Sequence, residues 1–216
     1  MFKSGFAAVI GRPNVGKSTL INSLIGEKLL IVSDKPQATR NKIRCILNTE
    51  NAQVIFLDTP GIHKPRHGLG KYMLKTALDA IEEVDVLLFV VEAHQPPGPG
   101  DRHIADLLTK TDTPAILVLN KIDLLKDDSE SIKVQYELLA PFKETIEVSS
   151  KTRENVEKLI QAVISLLPPG PRYYPEDVIV DQPERFVAAE LIREKILGLT
   201  REEIPHSVAV TVEEMR

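Results

Sequence analysis

The sequence predicts a doubly wound α/β domain, a mainly parallel sheet with one antiparallel edge strand, followed by an incomplete α+β segment. Three observations lead there. Short uninterrupted apolar runs (FAAVI, QVIFLD, DVLLFVVEA, PAILVLN) lack the alternation of a half-exposed strand and read as strands buried on both faces. Stretches with apolar residues at helical spacing separate most of them, which implies right-handed crossovers. Each run ends in a loop rich in Gly, Asp, Asn or Ser, and such sheets bind ligands at the carboxyl ends of their strands.

Taken in order, FAAVI (6–10) is the first strand and stops at Gly11. From Lys17 the residues Leu20, Ile21, Leu24 and Ile25 mark a helix that Gly26 closes in a left-handed cap. Residues 27–42 are polar and aperiodic, a loop. IRCILN (43–48) and QVIFLD (53–58), joined by TENA, form an antiparallel hairpin, which supplies the edge strand. LGKYMLKTALDAIEEV reads as a helix, DVLLFVVEA as a strand and GDRHIADLLTK as a helix after the turn HQPPGPG. PAILVLN is a strand, SIKVQYELLAPF mostly helix, TIEVSS a strand and ENVEKLIQAVISLL an amphipathic helix.

Residues 168–183, PPGPRYYPEDVIVDQP, hold five prolines and no periodicity, so they read as a linker between a domain at 1–167 and a remainder at 184–216. In the remainder, PERFVAAELIREKILGL carries a helical stripe (Phe186, Ala189, Leu191, Ile192, Ile196) and SVAVTV alternates as a strand. One helix and one strand do not close a core, so the second domain is expected to be truncated.

Composition narrows the partners. Hydrophobic residues make up 43%, charged residues 27%, and the net charge is -4, so any polyanion site must be local. The lone Cys45 suits a reducing compartment and reads as a buried small hydrophobe. The apolar start is too short for a signal peptide, and no segment is long enough to span a bilayer. A cytoplasmic location is expected.

Four short motifs and one loop threonine carry the chemistry. GRPNVGKS (Gly11, Arg12, Pro13, Asn14, Val15, Gly16, Lys17, Ser18) with Thr19 behind it fits the phosphate-loop pattern, between a strand and a helix as that reading requires. Backbone N–H groups of such a loop and the positive helix end surround phosphates, Lys17 adds a point charge, and the Ser18 hydroxyl offers a magnesium ligand. DTPG puts Asp58 near that metal and Gly61 near a terminal phosphate. NKID (Asn120, Lys121, Asp123) decides the base, because a carboxylate accepts from both N1–H and the amino group of guanine but repels the N1 acceptor of adenine. Asn120 braces the loop and meets the base edge; the Lys121 stem covers one face of the ring. SSK (Ser149, Ser150, Lys151) places the Ser150 N–H toward guanine O6, with Lys151 flanking the ring. Thr39, in the polar loop, is a candidate magnesium ligand that engages only when a γ-phosphate closes that loop; an ordinary surface threonine is the other reading. An adenine-nucleotide enzyme built on the same phosphate loop is disfavoured by NKID.

In this order, GRPNVGKS, Thr39, DTPG, NKID and SSK resemble the TRAFAC GTPases related to translation factors, and RFVAAELIREKILGLTREEIPHSVAV after a proline-rich linker is similar to the Era family. The resemblance implies a P-loop GTPase domain and a type II KH domain beginning at 184. It implies slow Mg2+-dependent hydrolysis of GTP to GDP, a nucleotide-dependent switch in loops 33–42 and 61–75, and 16S rRNA and the small ribosomal subunit as partners of the intact protein. Peripheral membrane association and the lack of a stable oligomer are further expectations. The 216 residues contain no G-x-x-G, and from Glu184 onward five Lys or Arg stand against seven Asp or Glu, which argues against RNA binding by this stretch.

Ile62 stands where many GTP hydrolases carry a glutamine, so water orientation must come from elsewhere; its side chain is expected to turn from the phosphate and pack against the switch segment. The resemblance offers Asn14, whose side-chain oxygen helps relatives bind K+ against the phosphates in place of an arginine finger. The other reading is that Asn14 only braces the loop. The catalytic candidates are thus Lys17, Thr39, Gly61 and Asn14, and the metal candidates Ser18, Thr39 and Asp58. His63 and His67 read as solvated loop residues. A different ribosome-assembly or tRNA-modification GTPase, and a GTP-gated binding module with negligible turnover, are the alternative functions.

Overall fold

The computed structural model describes residues 1–33, 39, 43–62, 79, 81, 83–125, 130–199 and 208–214. Most of the expected helix at 69–84, most of the loops 33–42 and 61–75, and His63 and His67 lie outside the described residues; Asp79 and Ile81 are helical.

Six strands form one sheet: β1 (Lys3–Ile10), β2 (Ile43–Asn48), β3 (Ala52–Asp58), β4 (Val86–Glu92), β5 (Ala115–Asn120) and β6 (Glu144–Val148). Their order is β2-β3-β1-β4-β5-β6, and every neighbouring pair is parallel except β2 with β3. The doubly wound sheet with an antiparallel edge strand is therefore as expected. Around it lie α1 (Lys17–Ile25), α2 (Pro99–Leu108), α3 (Glu130–Glu137), α4 (Val156–Leu166) and α5 (Glu184–Leu199).

The period of two along each strand sorts the apolar runs into two cores. Ala7 and Val9 of β1 join Leu88 and Val90 of β4 beneath α1 and α4, whereas Ala8 and Ile10 join Leu87 and Phe89 beneath α2 and α3. Two buried faces explain why these strands read as continuous apolar runs. Because the chain winds to β3 on one side of β1 and to β4 on the other, the end of β1 opens a crevice, and the phosphate loop occupies it. Asp58 and Asn120 end β3 and β5, and Ser149 directly follows β6, on the same edge. Cys45 is fully buried in the first core, and that burial, with the charges of Asp58 and Asp181 behind it, pushes its thiol far up, so it stays unionised.

The proline-rich segment 168–183 is fastened to the sheet. Ser4 N–H donates to the Pro168 carbonyl (3.2 Å), and Gly170 N–H to that of Phe2 (3.1 Å). The fully buried Gln53 accepts the N–H groups of Tyr173 (2.7 Å) and Tyr174 (3.0 Å) and returns a bond to the Tyr174 carbonyl (2.8 Å). Farther on, Ile46 N–H reaches the Ile179 carbonyl (2.9 Å) and Asp181 N–H that of Arg44 (3.1 Å), covering the free edge of β2. Proline cannot continue a helix or donate to a ladder, yet it suits a strap with few donors of its own. The segment read as a linker is thus hydrogen-bonded to β1, β2 and β3.

The expected stripe of α5 holds at Phe186, packed against the first core, and at the buried Ala189, but not at Ile192. In α5 the buried row is Ala189, Arg193 and Leu197, while Ile192 of the expected stripe is exposed. Arg193 sits on this row beside apolar Ala189 and Leu197 because its Nε and Nη2 donate to Glu190 (2.9 and 2.5 Å), which pairs its charge. Residues 208–214, which hold most of SVAVTV, are not in a strand.

Candidate nucleotide site

Tight glycine positions build the phosphate loop. Gly11 and Gly16 have φ of 156° and 96°, and a Cβ at Gly16 would lie 2.4 Å from Nδ2 of Asn120. Asn14 takes a left-handed φ of 67°, which Asn bears better than most residues, and its side chain is exposed. Helix α1 follows with no side-chain cap and no acidic residue in its first turn, so its positive end is unopposed. Thr19 sits in that first turn and Val15 packs into the core.

Lys17 is buried, and its Nζ donates to the carbonyls of Gly11 (3.2 Å) and Arg12 (2.8 Å). Burial pulls its pKa down to about 8 against the partial support of Asp58. The Arg12 side chain turns out of the loop and pairs with Asp101 on α2 (2.8 Å). Pro13 backs directly onto Gly61, where a Cβ would come 2.7 Å from the proline nitrogen. The same segment is tied down by Ile62, whose N–H donates to the Gly11 carbonyl (3.1 Å). As expected, the Ile62 side chain turns away from the loop; it is buried in the core with Ile10 and Leu57.

The three metal candidates meet. Oδ2 of the fully buried Asp58 accepts Ser18 Oγ (2.9 Å) and Thr39 Oγ1 (3.2 Å), and the two hydroxyls lie 3.1 Å apart. Thr39 is thus drawn to the site and is not an ordinary surface residue. Oδ1 of Asp58 is buried without a hydrogen-bond partner. One carboxylate, with an orphaned oxygen, and two hydroxyls form an all-oxygen set that fits Mg2+, a hard cation that keeps several waters. Desolvation raises the Asp58 pKa to about 6, although Lys17, Ser18 and Thr39 pull it back.

That shift has a sign. With a folded pKa above the unfolded one, the folded state binds the extra proton between about pH 4 and 6, so the ligand-free protein loses stability as pH rises through that window. The expected cost is about 3 kcal/mol. Denaturant titrations in chelator should show it for the wild type and not for Asp58→Asn; parallel pH profiles would contradict it.

The base-reading side is equally connected. Asp123 lies exposed in a 3-10 turn (Ile122–Leu124) and accepts Ser149 Oγ on Oδ1 (2.7 Å). Lys121, at a left-handed φ of 66°, donates Nζ to the Asn14 carbonyl (2.8 Å) and pairs with Glu92. Asn120 donates to the Val15 carbonyl (2.9 Å) and accepts the Ser150 N–H (3.1 Å). Asn120 therefore braces three loops, and the Ser150 N–H read as a guanine O6 donor is committed to Asn120. Lys151 is exposed. Sequence reasoning missed Glu92 and Asp101; a charged residue ending an apolar strand and an acid three residues into a helix were the only signals.

Comparison with known proteins agrees with this geometry. Residues 6–121 match the family model described as 50S ribosome-binding GTPase. The GTPase Era of Alkaliphilus oremlandii is 55% identical over all 216 residues, which span 73% of its length, and that of Carboxydothermus hydrogenoformans is 53% identical over 72% of its length. A crystal structure of Era in complex with MgGDPNP and nucleotides 1506–1542 of 16S ribosomal RNA superposes with a TM-score of 0.93 at 39% identity, covering 99% of this chain and 73% of that one. The identity of 50% and more over the whole chain and the matched GTPase domain, in agreement with this crevice, show that the chain is a GTP hydrolase and belongs to the Era family.

Proposed function

We propose that the protein is a slow, Mg2+-dependent GTP hydrolase whose nucleotide state times its action on 16S rRNA during small-subunit assembly in the cytoplasm. The convergence of Ser18 and Thr39 on Asp58 carries this reading, because it links the phosphate loop, the segment around Thr39 and the end of β3 at one carboxylate. Ser18, Thr39 and Asp58 hold the cation, which neutralises charge on the transferring phosphoryl. Lys17 turns from the loop carbonyls to the phosphates, and the N–H groups of the cradle need no rearrangement to stabilise the developing charge. Ile62, buried in the core, does not position water.

Two contacts of Glu194 support a route from nucleotide to the remainder of the chain. Glu194 of α5 accepts the N–H of Val32 (3.1 Å), at the entrance to the loop bearing Thr39, and pairs with Lys28 (2.6 Å). A change in that loop is thereby felt by α5, as a switch requires. We favour 16S over 50S contacts because the rRNA-bound relative matches 99% of the chain, whereas the 50S description attaches to residues 6–121 alone. These 216 residues contain no G-x-x-G, which argues against an RNA grip of the KH kind within this stretch.

Asn14 is proposed to help hold K+ beside the phosphates. Phosphate release from GTP and ATP in matched potassium and sodium chloride tests both ideas. GTP alone should turn over, faster in potassium by about tenfold, with Asn14→Ala erasing the difference. Equal rates in both salts, with a silent Asn14→Ala, would remove K+ from the account. A GTP-gated binding module is the second reading, favoured by the Glu194 link; Thr39→Ala that keeps GTP affinity and turnover but loses rRNA binding in the full-length protein would select it.

A further inference from the structure

The outer half of the phosphate loop is gripped by a carboxylate that touches no expected ligand position. Asp101, in the first turn of α2, is completely buried. Its Oδ1 accepts Arg12 Nε at 2.8 Å, and its Oδ2 accepts the Gly98 N–H at 2.9 Å and the Tyr136 hydroxyl, from α3, at 3.4 Å. Burial, with the charge of Asp101 behind it, pushes the Tyr136 phenol well above its ordinary range, so this hydroxyl stays a donor. Gly100 presses on the Arg12 stem, where a Cβ would come 2.8 Å from Cδ. Phosphate loop, α2 and α3 are thus joined at one carboxylate.

Stability alone is a weak reason for such an arrangement, because buried ion pairs are often replaceable by apolar groups without loss. What the pair supplies is direction. With Arg12 anchored, the peptide between Arg12 and Pro13 is set, and this peptide carries the carbonyl that receives Lys17 Nζ. Pro13 in turn forms the wall against which Gly61 rests, the residue expected to present an N–H to the terminal phosphate. Residues 11–13 therefore face the γ-phosphate end of the crevice, while residues 14–18, braced by Lys121 and Asn120, hold the remainder.

We propose that Asp101 is a positioning residue for GTP hydrolysis, acting through Arg12 to set residues 11–13 of the phosphate loop for the terminal phosphate. Asp101→Asn keeps the size but removes the charge. Affinities for GTP analogue and GDP, and phosphate release per GDP-titrated site, are compared in wild type and variant. Per-site turnover should fall about tenfold, as should the ratio of GTP-analogue to GDP affinity, with GDP affinity within about twofold of wild type. A ratio and a per-site rate do not respond to a smaller folded fraction, so a merely structural role leaves both unchanged and lowers only the melting temperature. That result, or an equal loss of both nucleotides, overturns the proposal. If Asp101→Asn does not fold, Arg12→Lys carries the same test, since it retains the charge without the planar Nε–H. A wild type that released no phosphate would strike the hydrolase assignment instead.

Discussion

Asp123→Asn should turn a guanine site into a xanthine site. In the wild type, Oδ1 accepts Ser149 Oγ, which fixes the carboxylate plane while leaving acceptor capacity on both oxygens for the N1–H and amino group of guanine. In the asparagine variant Ser149 continues to hold Oδ1, so the new amide N–H faces the position of the guanine amino group. Two donors then oppose each other. GTP affinity is expected to fall about a hundredfold or more. Xanthine places a carbonyl at that position and keeps N1–H, so XTP should bind the variant better than GTP does. Competition titrations with GTP, XTP and ATP decide this. If XTP gains nothing, or if ATP replaces GTP in the wild type, Asp123 is not the base reader.

Lys17→Met should separate activity from stability. The ammonium is the only side-chain cation bonded to the phosphate-loop carbonyls of Gly11 and Arg12 among the described residues, and its loss should lower turnover roughly a hundred- to a thousandfold. The ligand-free protein should meanwhile hold or gain stability at pH 7. Folding buries Lys17 and draws its pKa from 10.5 to about 8, a penalty of about 3 kcal/mol that is present in full below pH 8. It vanishes as pH rises from about 8 to 10.5, because the folded state has then already released the proton. Methionine fills similar space without charge, and the lost support for Asp58 offsets part of the gain. Denaturant midpoints at pH 7 and pH 10 measure both parts: the advantage of the variant should shrink at the higher pH. A variant that hydrolyses GTP within tenfold of wild type would show that Lys17 does not act on the phosphates.

The contrast between α1 and α2 suits one helix start to phosphate and leaves the other answered by its own acid. Helix α1 leaves its first turn without an acidic residue, whereas α2 answers its own positive end with Asp101. That difference was legible, since one start reads GKS and the other GPGD. The partner of Asp101 was not. Arg12 and Asp101 are 89 positions apart, and no local pattern announces a pair at that separation.

The amino-acid sequence by itself determined the doubly wound sheet, the places of the five helices given above and the residues of the phosphate loop, NKID and SSK, because those depend on periodicity and on backbone conformations that a few neighbouring residues impose. Only the tertiary structure decided that Thr39 reaches Asp58, that Asn120 claims the Ser150 N–H, that Arg193 faces inward and that the proline-rich segment straps the sheet. Each of those is a meeting of groups distant along the chain. Polar side chains choose such partners by geometry in a low-dielectric interior, where an unpaired donor or charge is costly, and that geometry exists only once the strands are side by side.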